Sequence, residues 1–137
     1  MERLFNVECN PNSISPLTLA FVGDSVFDLM VRETLVAQAN RPVRELNKLK
    51  VQTVCCKNQA VIVKNLLPVL TEGEVSVYKR GRNAHCGHTP KNASKADYHE
   101  ATGFEALFGY IYLSGNIKRL RELFNIILES FRGNIDE

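Results

Sequence analysis

The sequence predicts an all-α fold. Apolar residues recur at helical spacing through most of the 137 residues, and no stretch shows the strict alternation or the two-residue turn of a β-hairpin. Proline, glycine and asparagine separate these runs, as they commonly separate helices. Because no repeat, low-complexity segment or linker interrupts the pattern, residues 1–137 are expected to form one domain with its own core.

The first half of the chain contains two long helical runs. Ser15-Pro16 predicts an N-cap followed by proline at the first helical position, and the apolar-rich run then continues to about Gln38. Asn40-Arg41-Pro42 interrupts this helix. A second run begins at Val43 and continues until Pro68, which cannot continue a helix.

The second half contains three further helices. Residues 71–74 (Thr-Glu-Gly-Glu) predict a capping box that opens a short helix, and this helix reaches the basic residues 79–82. Residues 83–95 are rich in turn formers and predict a loop. A helix is expected from about 95 to 113, and a last amphipathic helix from 117 to about 131.

Basic residues are concentrated in one part of the chain. The net charge is only +2, yet residues 41–95 hold eleven Lys/Arg against three Glu, a net charge of +8. The remaining residues hold six basic against twelve acidic side chains, a net charge of −6. This segregation fits a polyanionic partner on one side of the molecule, and a solvated helix surface with scattered lysines fits it equally well.

Two carboxylates lie in apolar helical segments without a local partner. Asp24 and Glu105 have no basic residue three or four positions away, whereas Asp28 has Arg32 four positions on. A charge among apolar residues is costly unless it is paired or bound to a cation. The partner is either a basic side chain from elsewhere or a hard cation such as Mg²⁺ or Mn²⁺. Beside a strongly basic segment, a shared metal site indicates a nuclease.

Hydropathy and cysteine usage predict a cytoplasmic protein with reduced thiols. No apolar run approaches the roughly 18 residues of a membrane span, and the first residues lack the order of a signal peptide. Cys55-Cys56 is expected to fill a helix face. A zinc site that combines this pair with His85 and Cys86 stays open, although the spacing is not that of structural zinc sites.

Three ordered motifs resemble the ribonuclease III family. Residues 19–29 (Leu-Ala-Phe-Val-Gly-Asp-Ser-Val-Phe-Asp-Leu) resemble its signature helix, and residues 104–113 (Phe-Glu-Ala-Leu-Phe-Gly-Tyr-Ile-Tyr-Leu) resemble its second acidic helix. Residues 78–84 (Tyr-Lys-Arg-Gly-Arg-Asn-Ala), followed by 89–92 (Thr-Pro-Lys-Asn), resemble Mini-ribonuclease III, the compact branch that consists of the catalytic domain alone. The resemblance covers about residues 14–130.

This resemblance implies a homodimeric, all-α endonuclease domain that hydrolyses double-stranded RNA with Mg²⁺ and leaves 5′-phosphate ends, with Mn²⁺ as a substitute metal. Asp24 and Glu105 match the two central catalytic acids and are the expected metal ligands. The implied substrate is precursor large-subunit ribosomal RNA, with a ribosomal protein as a candidate helper. No double-stranded-RNA-binding domain is expected, so the catalytic domain itself is expected to bind RNA. The expected RNA-binding residues are Lys79, Arg80, Arg82, Asn83, Lys91 and Asn92.

The sequence departs from the family pattern at two acids. Ala20 stands four residues before Asp24, and Thr102 three residues before Glu105, where full-length members carry acids. The loss implies weaker metal binding or fewer, more hydrated metals, with Asp24 and Glu105 carrying the site. Thr102 is expected to offer its hydroxyl to a metal-bound water, and whether Asp28 assists the metal stays open.

Three functional hypotheses follow from the sequence. The first is the Mg²⁺-dependent endoribonuclease, and the second is a non-catalytic RNA-binding module in ribosome assembly that lost two acids on the same fold. The third is a zinc-dependent interaction domain. A homodimer is expected because the first helix is apolar nearly all round, and because two-fold symmetry sets two acid pairs against the two strands of a duplex.

Overall fold

The computed structural model describes residues 2–84 and 94–135, with side chains described as far as Phe131. In this part of the chain the regular elements are helical, with no strand, as the sequence predicts. The helices are α1 (Pro16–Gln38), α2 (Val43–Val54), α3 (Cys56–Leu66), α4 (Glu72–Arg82), α5 (Lys95–Leu113) and α6 (Ile117–Ile135), and two 3₁₀ turns span Pro11–Ser13 and Leu67–Val69. None of the described helices is long and apolar enough to cross a membrane.

The predicted helix starts and both predicted N-cap residues, Ser15 and Thr71, agree with the structure. The Thr71 hydroxyl accepts a hydrogen bond from the Glu74 N–H at 3.2 Å, and the Glu74 carboxylate accepts one from the Thr71 N–H at 2.9 Å. Ser15 is the N-cap of α1, as predicted, but its side chain accepts no hydrogen bond from a backbone N–H of the first turn. Its hydroxyl donates to the Thr18 hydroxyl at 2.9 Å, and proline at the first helical position already removes one orphan donor.

The predicted helical run from Val43 to Pro68 is broken at Cys55. This residue is extended, with ψ at 156°, so it ends α2 and starts α3. The Gln59 amide donates to the Val54 carbonyl at 2.8 Å and satisfies an end of α2 across the break. The cysteine pair therefore does not fill a helix face, since Cys55 is an exposed N-cap. Helix α6 also extends four residues beyond the predicted end.

Helix α5 is the central element, packed against α1, α3, α4 and α6. Its Phe104 and Phe108 meet Phe27 of α1 edge to face, with ring centroids 4.9 and 5.8 Å apart. All three rings are fully buried. This aromatic cluster fixes α1 against α5 near Asp24 and Glu105, because Phe27 follows Asp24 by three residues and Phe104 precedes Glu105.

Candidate active site

Two glycines let α1 and α5 touch backbone to backbone. A Cβ atom at Gly23 would lie 1.6 Å from the Glu105 carbonyl oxygen, and one at Gly109 would lie 2.0 Å from the Leu19 carbonyl oxygen. No other residue type fits at such a contact. Asp24 directly follows Gly23, so the crossing brings its side chain beside Glu105.

Asp24 and Glu105 form a carboxyl pair. Burial raises the pKa of Glu105 to about 9, and Asp24 adds to this shift through its charge and through hydrogen bonding. Asp24 itself is exposed, whereas the sequence suggested apolar surroundings for both acids. Gly23 and Phe27 are buried, whereas Phe21, three residues before Asp24, is exposed like it, so Asp24 lies at the solvent edge of the crossing.

No basic side chain neutralises this pair in the described residues. The ion pairs found there do not include Asp24 or Glu105. The alternative prediction, a buried acid–base pair, is therefore not supported. Asp28 behaves as predicted: its carboxylate lies 2.8 Å from Arg32 and also 3.5 Å from Lys50 of α2.

The donor chemistry of the pair fits a hard divalent cation. Carboxylate oxygens are preferred ligands of Mg²⁺ and Mn²⁺, and Mg²⁺ commonly uses only one or two protein carboxylates. No group of three or more His, Cys, Asp or Glu side chains is close enough to bind a metal in the described part of the chain. The zinc hypothesis is not supported there, and its His85 and Cys86 lie outside the described residues.

The two residues that stand in place of the absent acids are both buried. Ala20 is buried in a small apolar cluster with Leu19, Val77 and Ala106. Thr102 is only 6% exposed, and its hydroxyl donates to the Tyr98 carbonyl at 2.9 Å. The Thr102 hydroxyl therefore already donates its proton within α5. It could contact a metal-bound water only by accepting a hydrogen bond from that water.

Comparison with known proteins identifies the family. The Ribonuclease III domain model matches residues 17–116. The chain is 44% identical over 117 residues to the Mini-ribonuclease 3 of Thermoanaerobacter sp. (strain X514), which covers 85% of this chain and 82% of the relative. The chain belongs to the ribonuclease III family, in its Mini-ribonuclease 3 branch.

Other relatives agree with this membership. The Mini-ribonuclease 3 of Brevibacillus brevis is 45% identical over 114 residues, covering 83% of this chain and 85% of the relative. A crystal structure of a Fusobacterium nucleatum protein superposes with a TM-score of 0.78 at 30% identity, covering 86% of this chain and 94% of that one. The resemblance inferred from the three motifs is confirmed.

The predicted RNA-binding residues of this family member fall into three groups. Lys79, Arg80 and Asn83 are exposed and line an open groove of about 700 Å³ beside the start of α1. Arg82 is held in place, with its guanidinium 5.4 Å from the Tyr78 ring centroid and its Nε donating to the Asn83 side chain at 3.3 Å. Lys91 and Asn92 lie outside the described residues.

Tyr78 connects this arginine to α5. Its hydroxyl donates to the Glu100 carboxylate, and its ring packs on Gly103, where no Cβ would fit. Burial raises the pKa of Tyr78 to about 12, and the Glu100 carboxylate adds to the shift, so the hydroxyl keeps its proton. Arg82 is therefore positioned by a buried tyrosine, while Lys79 and Arg80 extend into solvent.

Sequence reasoning missed one neighbour of the acid pair. Cys56, the first residue of α3, has its pKa raised mainly by burial, and next by the charge of Glu105. The start of α3 therefore lies beside the site. The only signal in the sequence was the β-preferring pair Val54 and Cys55 ahead of Cys56, which is too weak to predict a break between two good helical runs.

Proposed function

We propose that the protein is a divalent-metal-dependent endoribonuclease that hydrolyses double-stranded RNA and leaves 5′-phosphate ends. The observation that carries the proposal is the Asp24–Glu105 pair, which has no cationic side-chain partner in the described residues. Membership of the ribonuclease III family supports a double-stranded RNA substrate.

Asp24 and Glu105 would hold Mg²⁺, with Mn²⁺ as a substitute. A bound divalent cation stabilises the charge that grows on a phosphodiester and lowers the pKa of a bound water. The chain contributes rigidity, because the backbone contact at Gly23 leaves Glu105 little freedom to move away from α1. The fully buried Phe104 and Phe108 exclude water from the core side of Glu105, which strengthens its attraction for a cation.

The basic end of α4 supports RNA binding by this domain itself. Lys79 and Arg80 are exposed and form no ion pair within the described residues, so they are free to neutralise phosphates. A-form RNA is recognised largely through its backbone and 2′-hydroxyls across a wide minor groove. Long basic side chains beside an open groove suit that surface, with Arg82 and Asn83 held at its edge.

A homodimer through α1 completes the proposal. Phe21, Leu29 and Val36 are 78%, 50% and 61% exposed, and their spacing of eight and seven residues places them on one side of the helix. Large apolar side chains exposed in a row are typical of an interface. Two-fold symmetry would then set one acid pair against each strand of a duplex.

The finer assignments rest on the Mini-ribonuclease III resemblance. It supports precursor large-subunit ribosomal RNA as the cytoplasmic substrate and a ribosomal protein as helper. The competing function, a non-catalytic RNA-binding module, is favoured by the apolar packing of Ala20 and Thr102 where relatives of full length carry acids.

Cleavage of a duplex RNA by matched variants tests the proposal. We expect Mg²⁺-dependent cleavage that EDTA abolishes. Asp24→Asn and Glu105→Gln should each lower the rate by on the order of a hundredfold or more, because each removes a ligand of the charge-stabilising metal. Asp28→Asn is the control, since Asp28 lies one turn away and is engaged by Arg32 and Lys50.

Binding to the same duplex is measured in parallel, so that a lower rate of cleavage can be distinguished from weaker binding of the RNA. Asp24→Asn should still bind RNA. Binding that does not need metal, without cleavage by the wild type in Mg²⁺ or Mn²⁺, would support the RNA-binding module and reject the nuclease.

Arg80→Ala and Arg82→Ala should both weaken duplex binding. Each lost phosphate contact is expected to flatten the slope of log K against log salt by about 0.9. Titrations between roughly 50 and 200 mM salt measure this slope. Arg121→Ala, an exposed arginine on α6, is the control. An unchanged slope for Arg80→Ala would show that the groove is not part of the RNA-binding surface of the protein.

A further inference from the structure

The segment formed by α2 and α3 carries unneutralised positive charge. From residue 34 to residue 71 the chain holds six basic side chains and a single acid, Glu45. Two of the six are engaged, as Arg41 lies 3.6 Å from Glu45 and Lys50 lies 3.5 Å from Asp28. The other four form no ion pair with the described residues, and all are exposed. They are Arg44, Lys48, Lys57 and Lys64.

This pattern is weaker in α6, which holds four basic residues against two acids. Arg119 there contacts both Glu74, at 2.8 Å, and Glu122, at 3.1 Å. Charges of one sign without counter-charges repel one another, and such a surface is typical of polyanion binding. Arg44 and Lys48 are four residues apart, so they lie on adjacent turns of one face of α2.

The same segment lies next to the acid pair. Lys50 of α2 lies 3.5 Å from Asp28, which is one helical turn beyond Asp24, and α3 packs against α5, the helix that carries Glu105. The charges of Glu105 and Asp97 both raise the pKa of Cys56, which agrees with this packing and with the start of α3, including Lys57, on the Asp97 side of α5.

The α4 cluster lies on the other flank of Glu105. A Cβ at Gly81 would be 2.7 Å from the Ala106 side chain, so α4 packs against the Ala106 side of α5. At about 100° per residue around a helix, Ala106 and Asp97 project to opposite sides of Glu105. The acid pair therefore lies between two basic surfaces, the α4 cluster and the α2–α3 segment.

We propose that the exposed face of α2 and α3, with Arg44, Lys48, Lys57 and Lys64, is a second binding surface for the phosphate backbone of a nucleic-acid duplex. The inference rests on the proposed RNA-cleaving function, because a duplex cleaved at Asp24 and Glu105 must cross between the two basic flanks. Lys57 contacts the phosphates nearest the cleavage site. Lys48 and Arg44 reach phosphates farther along the same duplex.

Charge reversal on this surface tests the inference. The variants are Lys57→Glu and the double variant Arg44→Glu/Lys48→Glu, with Lys57→Gln as a milder change. Lys118→Glu on α6 is the control, since it removes an exposed lysine with the same change of net charge as Lys57→Glu. The affinity of each variant, and its salt slope, are measured with a non-cleaved duplex in Ca²⁺ or EDTA, and helicity and melting temperature are compared.

Each neutralised phosphate contributes about fivefold in affinity near 0.15 M salt, from a slope of about 0.9 per contact. We therefore expect Lys57→Glu to bind about fivefold more weakly or worse, the double variant more weakly still, and both slopes to be shallower. Lys57→Gln should lose less affinity for the duplex than Lys57→Glu, and Lys118→Glu should bind with the affinity of the wild type. Cleavage in Mg²⁺ should fall with affinity at low RNA concentration and recover at saturation.

The inference is overturned if the two charge reversals bind with wild-type affinity and slope, or weaken binding no more than Lys118→Glu. In both cases wild-type cleavage would still stand, so the proposed function would survive. A wild type that neither binds nor cleaves duplex RNA would instead reject the proposed function, and the second surface with it.

Discussion

At the scale of single residues, Glu105 is the side chain of the candidate site whose ionisation the fold changes most. Its carboxyl group is largely buried, its nearest titratable neighbour is another acid, and burial with that neighbour raises its pKa to about 9. Folding therefore favours a proton on Glu105 in the absence of a cation. A site that must hold two carboxylates without a counter-charge is poised to exchange that proton for a metal ion.

The stability of the metal-free protein should fall as the pH rises. The pKa of Glu105 is about 9 in the folded chain against an ordinary value of 4.5, so between these values the folded state binds a proton that the unfolded state has released. Unfolding then releases a proton, and the free energy of unfolding decreases by up to about 1.4 kcal/mol per pH unit in this window.

Melting temperatures in EDTA at pH 5.5 and 8.5, roughly the two ends of that window, measure the effect. Glu105→Gln should flatten the dependence, whereas Glu129→Gln, at an exposed position on α6, should keep the wild-type slope. A Glu105→Gln slope equal to that of the wild type would show that Glu105 ionises without penalty.

At the scale of elements, the crossing of α1 and α5 is the feature on which the acid pair depends. Gly23→Ala places a methyl group against the Glu105 backbone, which cannot rotate away as a side chain could. We expect the free energy of unfolding to fall by on the order of 3 kcal/mol, because overpacking against backbone forces the helices apart. Chemical denaturation measures it.

Gly73→Ala is the matched control for this substitution. Gly73 also lies in a helix, but the nearest atom to its added Cβ is the Thr71 hydroxyl at 4.0 Å. The variant should be about 0.5 kcal/mol more stable than the wild type, since alanine restricts the unfolded chain. Equal effects of the two substitutions would mean that the helices can separate without cost.

The helices could be predicted from the sequence where local signals decide them. Proline at α1, the capping box at Thr71 and the spacing of apolar residues in α5 and α6 act over a few residues, and the structure agrees with them. The break at Cys55 could not be predicted, because the tertiary contacts of α2 and α3 select it. The pairing of Asp24 with Glu105 was expected from the family motifs, but the exposure of Asp24 and the proximity of Cys56 depend on how three helices meet.

At the scale of the whole molecule, the described surface includes an exposed apolar row on α1 and two regions of unpaired basic side chains. The apolar row includes Phe21, and the basic regions are the α4 cluster and the α2–α3 segment. A dimer that covers the apolar row would leave the basic regions free for a polyanion. It would also place two acid pairs on one duplex, which is what cleavage of both strands requires.

Phe21→Asp should convert the protein from a dimer to a monomer. In a monomer this side chain is 78% exposed, so its replacement costs the isolated fold little, whereas in a dimer it would place a charge in a desolvated interface. Phe5→Asp is the control, because Phe5 is 77% exposed but lies in the N-terminal segment outside α1. Light scattering on a sizing column should give the mass of two 15.4 kDa chains for the wild type and for Phe5→Asp, and of one chain for Phe21→Asp with unchanged helicity. A monomeric wild type at micromolar concentration, or a dimeric Phe21→Asp, would show that the row on α1 is not the interface.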